Sequence, residues 1–246
     1  KQTALAPKFG VVYQPLKDNL SVFGNIQSSF TNVANAISRS GKPFKPEKSL
    51  QMEAGVKMNL LGDVLTGSVS YYHIKVNNVV RPDSITLTDP TPYSIQNGEQ
   101  KSNGYEIELI ALPVNGLSIV AGYSHNNSKL LKATADVEGL RPTTAGSADL
   151  VNFWVSYQFN NYFLKGFSLG FGGNYASETY PVNSNVDGKF ILPSYTVLNS
   201  AISYQQRRFK LTAKLNNITN EHYWVGYNSF SPQMTRQFIG ALTFRL

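Results

Sequence analysis

The chain has 246 residues, a formal net charge of +7 and no cysteine, which excludes disulfide bonds and thiolate metal sites. Charged residues make up only 15% of it, whereas an average soluble domain has about 25%. No stretch approaches the roughly 18 apolar residues of a transmembrane helix. The basic residues are scattered rather than clustered, so the positive charge does not indicate a nucleic-acid-binding surface.

Segments with alternating apolar and polar residues follow one another along the chain and predict eleven β-strands. In the third segment, every second residue from Leu50 to Leu60 is apolar, so one face of that strand is apolar and the other is polar. The apolar faces of the eleven predicted strands are marked, in chain order, by Val11, Val22, Val56, Val69, Ile107, Ile119, Phe153, Phe171, Ile202, Leu211 and Leu242.

Short and long connectors alternate between these strands. The short ones are 15–19, 61–63, 113–116, 160–166 and 205–208. The long ones are 31–49, 80–98, 131–148, 181–190 and 217–235. This rhythm is typical of a transmembrane β-barrel, because periplasmic turns are short and extracellular loops are long. We therefore predict an all-β fold, an antiparallel transmembrane β-barrel with its C-terminus in the periplasm.

Aromatic residues recur near the ends of the predicted strands. They include Tyr13, Phe30, Tyr123, Tyr157, Phe159, Tyr175 and Tyr204. In a membrane barrel such residues form girdles at the level of the lipid headgroups. The ordinary preference of aromatic residues for strands is the alternative explanation. The last predicted strand continues to Leu246 and needs a neighbour to pair with, which closure of a barrel would supply.

Four stretches resemble landmarks of the TonB-dependent outer-membrane receptors, and the ferric-siderophore branch of that family fits best. Residues 7–30 resemble a hairpin in which a Gly-x-x-Tyr-x-Pro strand precedes a strand ending in Ser-x-Ser-Phe. Residues 45–57 resemble the stretch Pro-Glu-x-Ser/Thr…Glu-x-Gly-x-Lys, and residues 104–108 resemble the Gly-x-Glu-x-Glu strand. Residues 216–223 resemble the Asn-Leu-x-Asp-x-x-Tyr box near the C-terminus.

Two positions depart from the family pattern. Leu246 ends the chain where the family usually has Phe, and Thr219-Asn220 replaces the more usual Phe-Asp of the box. An aliphatic final residue keeps the alternating apolar pattern that barrel-assembly machinery reads. The resemblance nevertheless covers almost the whole chain, because the motifs follow one another in the right order and spacing.

The resemblance implies the architecture of a larger protein. Receptors of this family resemble a barrel of about 22 strands that encloses an N-terminal plug, and a short segment binds TonB. We therefore expect residues 1–246 to be the C-terminal part of the barrel, with about 11 of those strands and with the plug domain absent from this chain. The expected location is the outer membrane of a Gram-negative bacterium, in contact with lipid and lipopolysaccharide.

The same resemblance implies uptake of a ferric siderophore in a TonB-dependent manner. The chain would form barrel wall and extracellular loops, with no catalysis and no cofactor beyond the transported ligand. Three alternatives remain open at this point. They are an importer of another nutrient such as a vitamin, a glycan or a metal chelate, a passive porin, and a barrel enzyme. The sequence shows no Ser/His/Asp grouping that would support the last.

The long connectors carry the candidate ligand-binding residues of an extracellular mouth. An iron-loaded siderophore is often anionic and carries flat chelating groups, so cationic and aromatic side chains suit it. Contact with lipopolysaccharide, or plain solvation, is the alternative role. Our candidates are Arg81, Tyr93, Arg141, Tyr180, Trp224 and Tyr227. The wider set of loop residues adds Arg39, Lys42, Lys129, Lys132, Lys189 and Arg236.

Three residues are predicted to face the lumen or the plug. Glu106 and Glu108 lie two apart on the polar face of the fifth predicted strand, and Trp154 lies between polar neighbours on the seventh. Spacing alone does not make the two glutamates a catalytic pair. The three histidines are far apart in sequence, so we predict no metal site. Residues 126–128 and 217–219 match the N-glycosylation pattern, and we read both as loop residues.

Overall fold

In a computed structural model of the chain, residues 4–34, 36–83, 93–161, 163–226 and 229–244 are described. The strands of these ranges are β1 (Lys8–Leu16), β2 (Leu20–Thr31), β3 (Ile37–Ser38), β4 (Glu47–Leu60), β5 (Leu65–Pro82), β6 (Tyr93–Ala111), β7 (Leu117–Lys132), β8 (Asp149–Gln158), β9 (Phe167–Ala176), β10 (Thr179–Ser184), β11 (Gly188–Leu192), β12 (Tyr195–Gln205), β13 (Phe209–Asn216), β14 (Trp224–Gly226), β15 (Phe230–Pro232) and β16 (Gln237–Phe244). One 3-10 turn covers Thr143–Ala145. Within the described ranges, no helix is long and apolar enough to cross a membrane.

Eleven strands form one continuous antiparallel sheet in the order β1-β2-β4-β5-β6-β7-β8-β9-β12-β13-β16. They are the eleven strands that the alternating pattern predicts, so this part of the prediction is confirmed. Strand β3 pairs in parallel with β6. Two separate hairpins, β10–β11 and β14–β15, lie inside long connectors. We call the end of the sheet that carries the long connectors the loop end, and the opposite one the turn end.

Cross-strand register aligns the apolar residues of successive strands on one face of the sheet. Directly paired residues of antiparallel strands point to the same face. One such row runs through Val22, Val56, Val69, Ile107, Tyr123, Val151 and Tyr175. The neighbouring row on the opposite face runs through Lys57, Ser68, Glu108, Gly122, Asn152 and Asn174. We refer to these as the apolar face and the polar face.

The sheet does not enclose an apolar core of the kind found in soluble proteins. Among the described residues, the buried apolar side chains are Ala176, Leu192 and Val197. Large apolar side chains of the apolar face, such as Leu169 and Leu211, are about half exposed at 48% and 52%. A face of this kind needs an apolar environment outside the sheet.

Three aromatic side chains on the polar face lie over glycines of the next strand. The ring of Phe23 lies over Gly55, Tyr72 over Gly104, and Trp154 over Gly170 and Gly172. At these glycines an added Cβ would come within 2.7 Å of an aromatic ring atom or of the Tyr72 hydroxyl. Glycine is therefore required where a ring crosses the neighbouring backbone.

Two sequence predictions are wrong in detail. Of the described residues in the predicted connector 80–98, all but Asp83 are strand, because β5 and β6 stay paired as far as Pro82 and Ser94. Residues 126–128 are not loop residues but lie within β7. Residues 126–128 are polar on both faces and show no period-2 pattern, yet backbone hydrogen bonds hold the strand in place without apolar side chains.

Candidate functional site

Three long connectors join to form one assembly at the loop end, which we call the loop cluster (residues 133–148, 179–192, 224–226 and 229–232). The side-chain amide of Asn183 donates to the carbonyl of Arg141 at 2.8 Å. The backbone N–H of Asn185 donates to the carbonyl of Asp136 at 2.6 Å. The rings of Phe190 and Phe230 stack with centroids 5.1 Å apart and link hairpins β10–β11 and β14–β15. These contacts fix three loops to one another.

Arg141 fastens the first of these loops to the barrel wall. Its guanidinium donates to the Asn126 carbonyl at 2.7 Å and to the Asn126 side-chain oxygen at 3.1 Å. It also donates to the carbonyls of Ala145, Gly146 and Ser147 at 3.2–3.3 Å. Burial lowers the pKa of Arg141 from its ordinary value, but an arginine remains charged throughout the physiological range. Arg141, which the sequence predicts as a ligand contact, therefore uses its hydrogen-bond donors to hold its own loop.

Asn126 is the point on the polar face to which this loop is attached. Its amide nitrogen donates to the Tyr72 hydroxyl and to the Ser102 hydroxyl, both at 2.7 Å. Its side-chain oxygen accepts from Ser128 at 2.8 Å as well as from Arg141. The sequence signal that could have identified this network is a run of Asn and Ser facing a glycine, Gly104, on the paired strand.

Tyr180 and Trp224 both lie in the loop cluster. Tyr180 donates a hydrogen bond to Glu178, which raises the pKa of the phenol, and the Lys189 ammonium lies 5.2 Å from the centre of its ring. Trp224 lies in hairpin β14–β15 opposite Pro232 and is 46% exposed. The loop cluster thus presents the Lys189 ammonium beside the Tyr180 ring and the partly exposed indole of Trp224. These groups are suitable contacts for a flat anionic ligand.

Arg81 and Tyr93 lie apart from the cluster, at the tip of the long arm formed by β5 and β6. Arg81 donates to the Asn97 side chain at 2.8 Å. The Arg39 guanidinium lies 4.9 Å from the centre of the Tyr93 ring and pairs with Asp83 at 3.5 Å. Among the described residues, no hydrogen bond or ring contact links this arm tip to the loop cluster.

Glu106 and Glu108 lie exposed on the polar face of β6. The Ser68 hydroxyl donates to Glu108 at 3.3 Å, and Glu106 is paired with Ser70 and Ser124 across the sheet. Trp154 lies on the same face and remains 37% exposed above its two glycines. These three residues are placed where they could contact material inside the barrel.

The remaining sequence candidates lie elsewhere. Tyr227 is outside the described residues. Lys129 and Lys132 belong to strand β7, on the same face as His125, and not to a loop. His125 pairs with Asp149 at 2.7 Å on the apolar face. No group of three or more His, Asp or Glu side chains in the described ranges could hold a metal ion.

Comparison with known proteins identifies the family. A family model described as TonB dependent receptor-like, beta-barrel matches residues 1–218. The chain belongs to the TonB-dependent receptors. Members of this family are receptors and transporters of the Gram-negative outer membrane and are not enzymes. The apolar face of this TonB-dependent receptor barrel therefore faces lipid, the polar face lines the lumen, and the loop end is extracellular.

The curated relatives of this receptor chain are longer proteins. The metal-pseudopaline receptor CntO of Pseudomonas aeruginosa is 28% identical over 234 residues, which are 93% of this chain and 31% of the relative. The ferrioxamine B receptor of Salmonella typhimurium is 28% identical over 197 residues, which are 78% and 27%. The chain therefore spans between a quarter and a third of the length of these relatives.

A solved structure shows the same fold. The ferripyoverdine receptor of the outer membrane of Pseudomonas aeruginosa, in complex with ferripyoverdine, superimposes with a TM-score of 0.83 at 23% identity. The match covers 96% of this chain and 32% of that one. The sheet seen here is thus a large segment of a receptor barrel, and it is not closed on itself.

Proposed function

We propose that this chain is the C-terminal wall and part of the extracellular mouth of a receptor that imports a ferric siderophore in a TonB-dependent manner. Relatives that match 93% and 78% of the chain are named as receptors for metal-pseudopaline and for ferrioxamine B, both of which are metal chelates. The complete receptor would add the plug and the segment that binds TonB. No bond in the ligand is made or broken.

The loop cluster is the observation that carries this proposal. A receptor mouth needs side chains that stay in place before the ligand arrives, because preorganised contacts bind more tightly. Here hydrogen bonds from Arg141 and Asn183 and the Phe190–Phe230 stack fix the loops that present Tyr180 and Trp224. A passive porin has no need of such an arrangement of cationic and aromatic groups.

Glu106 and Glu108 support the presence of a plug. Two exposed carboxylates on one lumen-facing strand have Ser, Gly and Asn neighbours across the sheet, and among the described residues neither forms an ion pair. We propose that basic residues of the receptor's own plug lie against them. Trp154 would contact the plug on the same wall.

Uptake of iron by the complete receptor tests the proposal. The receptor is expressed in a strain without its own siderophore receptors, and radioactive iron uptake is measured for a panel of ferric siderophores with and without TonB. The double variant Tyr180→Leu/Lys189→Gln removes the cation–ring pair of the loop cluster. We expect the ligand Kd to rise about fivefold, since a cationic or aromatic contact of this kind contributes on the order of 1 kcal/mol.

The matched control is Tyr204→Leu/Lys165→Gln, which removes a tyrosine and a lysine at the turn end. This control should bind the ligand like the unaltered receptor. Uptake that is equally fast without TonB would contradict the proposal, and so would unchanged affinity in the loop-cluster variant.

A further inference from the structure

Two rows of lysines lie on the apolar face of the sheet, close to its loop end. In the first row, Lys75 is paired with Lys101 and Lys101 with Lys129. Directly paired residues share a face, so all three ammonium groups point outward from the barrel. They lie on the same face as Tyr71, Tyr105 and His125, which are four residues nearer to the turn end on the same strands.

The second row is the next one toward the loop end. Lys48 is paired with Asn77, Asn77 with Glu99, and Glu99 with Lys132. We call the five lysines of both rows the lysine belt. The belt residues are Lys48, Lys75, Lys101, Lys129 and Lys132.

The positive charge of the belt is only partly neutralised within the protein. Glu99 contacts Lys75 at 3.1 Å and Lys132 at 2.5 Å, so five lysines and this one glutamate leave a charge of +4. Within the described ranges, no carboxylate pairs with Lys48, Lys101 or Lys129. Paired side chains have Cβ atoms about 5 Å apart, and like charges in such positions repel one another. A bound anion would remove this repulsion.

The belt lies at the height of the lipid headgroups. Between Tyr71 and Lys75, four residues of extended strand rise about 13 Å along the strand, and a tilt of about 40° reduces this to about 10 Å along the membrane normal. The row at Tyr71, Tyr105 and His125 follows three apolar rows and marks the end of the apolar band. On β5, β6 and β7 the row between it and the belt holds His73, Asn103 and Asn127, which suit a hydrated interface, whereas on β4 the same row holds Met52.

We propose that the lysine belt binds the phosphate groups of lipopolysaccharide in the outer leaflet. Phosphate carries the charge that the belt lacks, and each lysine ammonium offers three hydrogen-bond donors. A ligand inside the lumen cannot reach these lysines, because they point away from it. The inference depends on the placement of the barrel in the outer membrane and is independent of which ligand the receptor imports.

The test measures binding of lipid A, the phosphorylated anchor of lipopolysaccharide, to the complete receptor in detergent by native mass spectrometry. The triple variant Lys48→Gln/Lys101→Gln/Lys129→Gln removes the three lysines that have no carboxylate partner, so Glu99 keeps both of its contacts. Each lysine near an anionic surface contributes about fivefold in affinity, so we expect the triple variant to bind about a hundredfold more weakly. Lipid A from which both phosphates have been removed should bind the unaltered receptor equally weakly.

Two further variants separate charge from folding. Lys57→Gln/Lys210→Gln/Lys214→Gln removes the same charge from the polar face and should bind lipid A normally. Arginine at positions 48, 101 and 129 should restore binding, and a heat-modifiable band on gels shows that each barrel has folded. Normal binding by the glutamine triple variant of the belt would overturn the proposal. Equal binding of the dephosphorylated lipid by the unaltered receptor would overturn it as well.

Discussion

Asn217 shows, at the scale of a single residue, what the asparagine of the C-terminal box (residues 216–223) does in this chain. Its backbone N–H donates to Asn199, and its side-chain oxygen accepts from the N–H of Glu221. Its amide nitrogen donates to the carbonyls of Glu221 and Met234 at 2.9 and 3.2 Å. The residue is 2% exposed and has a φ of 51°, which asparagine adopts more readily than most residues. The Asn217 side chain thus links the beginning and the end of the connector between β13 and β16 by hydrogen bonds.

Asn217→Ala should therefore loosen this connector. The change leaves a buried N–H and two carbonyls without their partner, and we expect a loss of about 2–3 kcal/mol in local stability. Limited proteolysis between β13 and β16 should become faster, and amide exchange at Glu221 should rise. Asn220→Ala is the control, because the two hydrogen bonds of its side chain, with the Arg236 N–H and with the His222 ring, are both exposed. Equal cleavage rates in the two variants would disprove the assigned role.

The C-terminal box can be located from the sequence, but the contact partners of its residues cannot. A resemblance identifies Asn217, Asn220 and Tyr223 by order and spacing, whereas their partners lie far along the chain. Met234 is 17 residues away from Asn217, and Tyr223 stacks on Tyr195 at 4.2 Å. Local pattern does not determine such pairs, because they depend on how the connector between β13 and β16 folds back on itself and over the end of β12.

At the scale of the strand, three aromatic residues on the polar face (Phe23, Tyr72 and Trp154) are each matched to glycine on the neighbouring strand. Tyr72 crosses β6 at Gly104 and reaches Asn126 on β7, the residue that accepts the Arg141 clamp. Gly104 therefore allows a hydrogen-bond chain from the strand wall into loop 133–148. Removing this glycine should disturb the wall and the loop together.

Gly104→Ala tests this coupling. An added Cβ would lie 2.0 Å from the His125 carbonyl oxygen and 2.7 Å from the Tyr72 hydroxyl, so the strand or the ring must move. We expect a loss of about 1–3 kcal/mol, typical of overpacking, and a lower temperature of heat denaturation on gels. Gly240→Ala on β16 is the matched control, since no atom lies within 4 Å of its added Cβ. A Gly104→Ala barrel as stable as that control would contradict the coupling.

The strands also show which features the sequence does not predict, namely how far a strand extends and which face a side chain lies on. Alternation identifies each strand only while it crosses lipid, as from Leu65 to Tyr71. Beyond that level β5 and β6 continue as a paired arm without this alternation, and part of the arm, in the predicted connector 80–98, was interpreted as a loop. Lys129 and Lys132 were assigned to the mouth for the same reason, although register places them on the outer surface. Where both faces of a strand are polar, only the cross-strand register shows which face of the sheet a side chain lies on.

At the scale of the whole molecule, the sheet is a wall with two free sides. One face is apolar and the other polar, and few side chains are buried between them. Stability must therefore come from strand pairing and from burial of the apolar face in lipid. The first strand, β1, and the last strand, β16, pair with one neighbour each within the described residues. Their remaining backbone groups need partners.

Expression of residues 1–246 alone tests whether the wall can close on itself. Eleven strands that alternate in direction leave β1 and β16 parallel to each other, so closure would require a parallel pair, whereas bacterial single-chain barrels contain an even number of antiparallel strands. We expect the isolated chain to give aggregates or strand-exchanged oligomers in detergent, without a heat-modifiable band. Size-exclusion chromatography and gel mobility before and after boiling measure this, with the complete receptor as the folded control. A monodisperse, heat-modifiable monomer of residues 1–246 would show that the two free sides can pair, and that the wall needs no further strands to close.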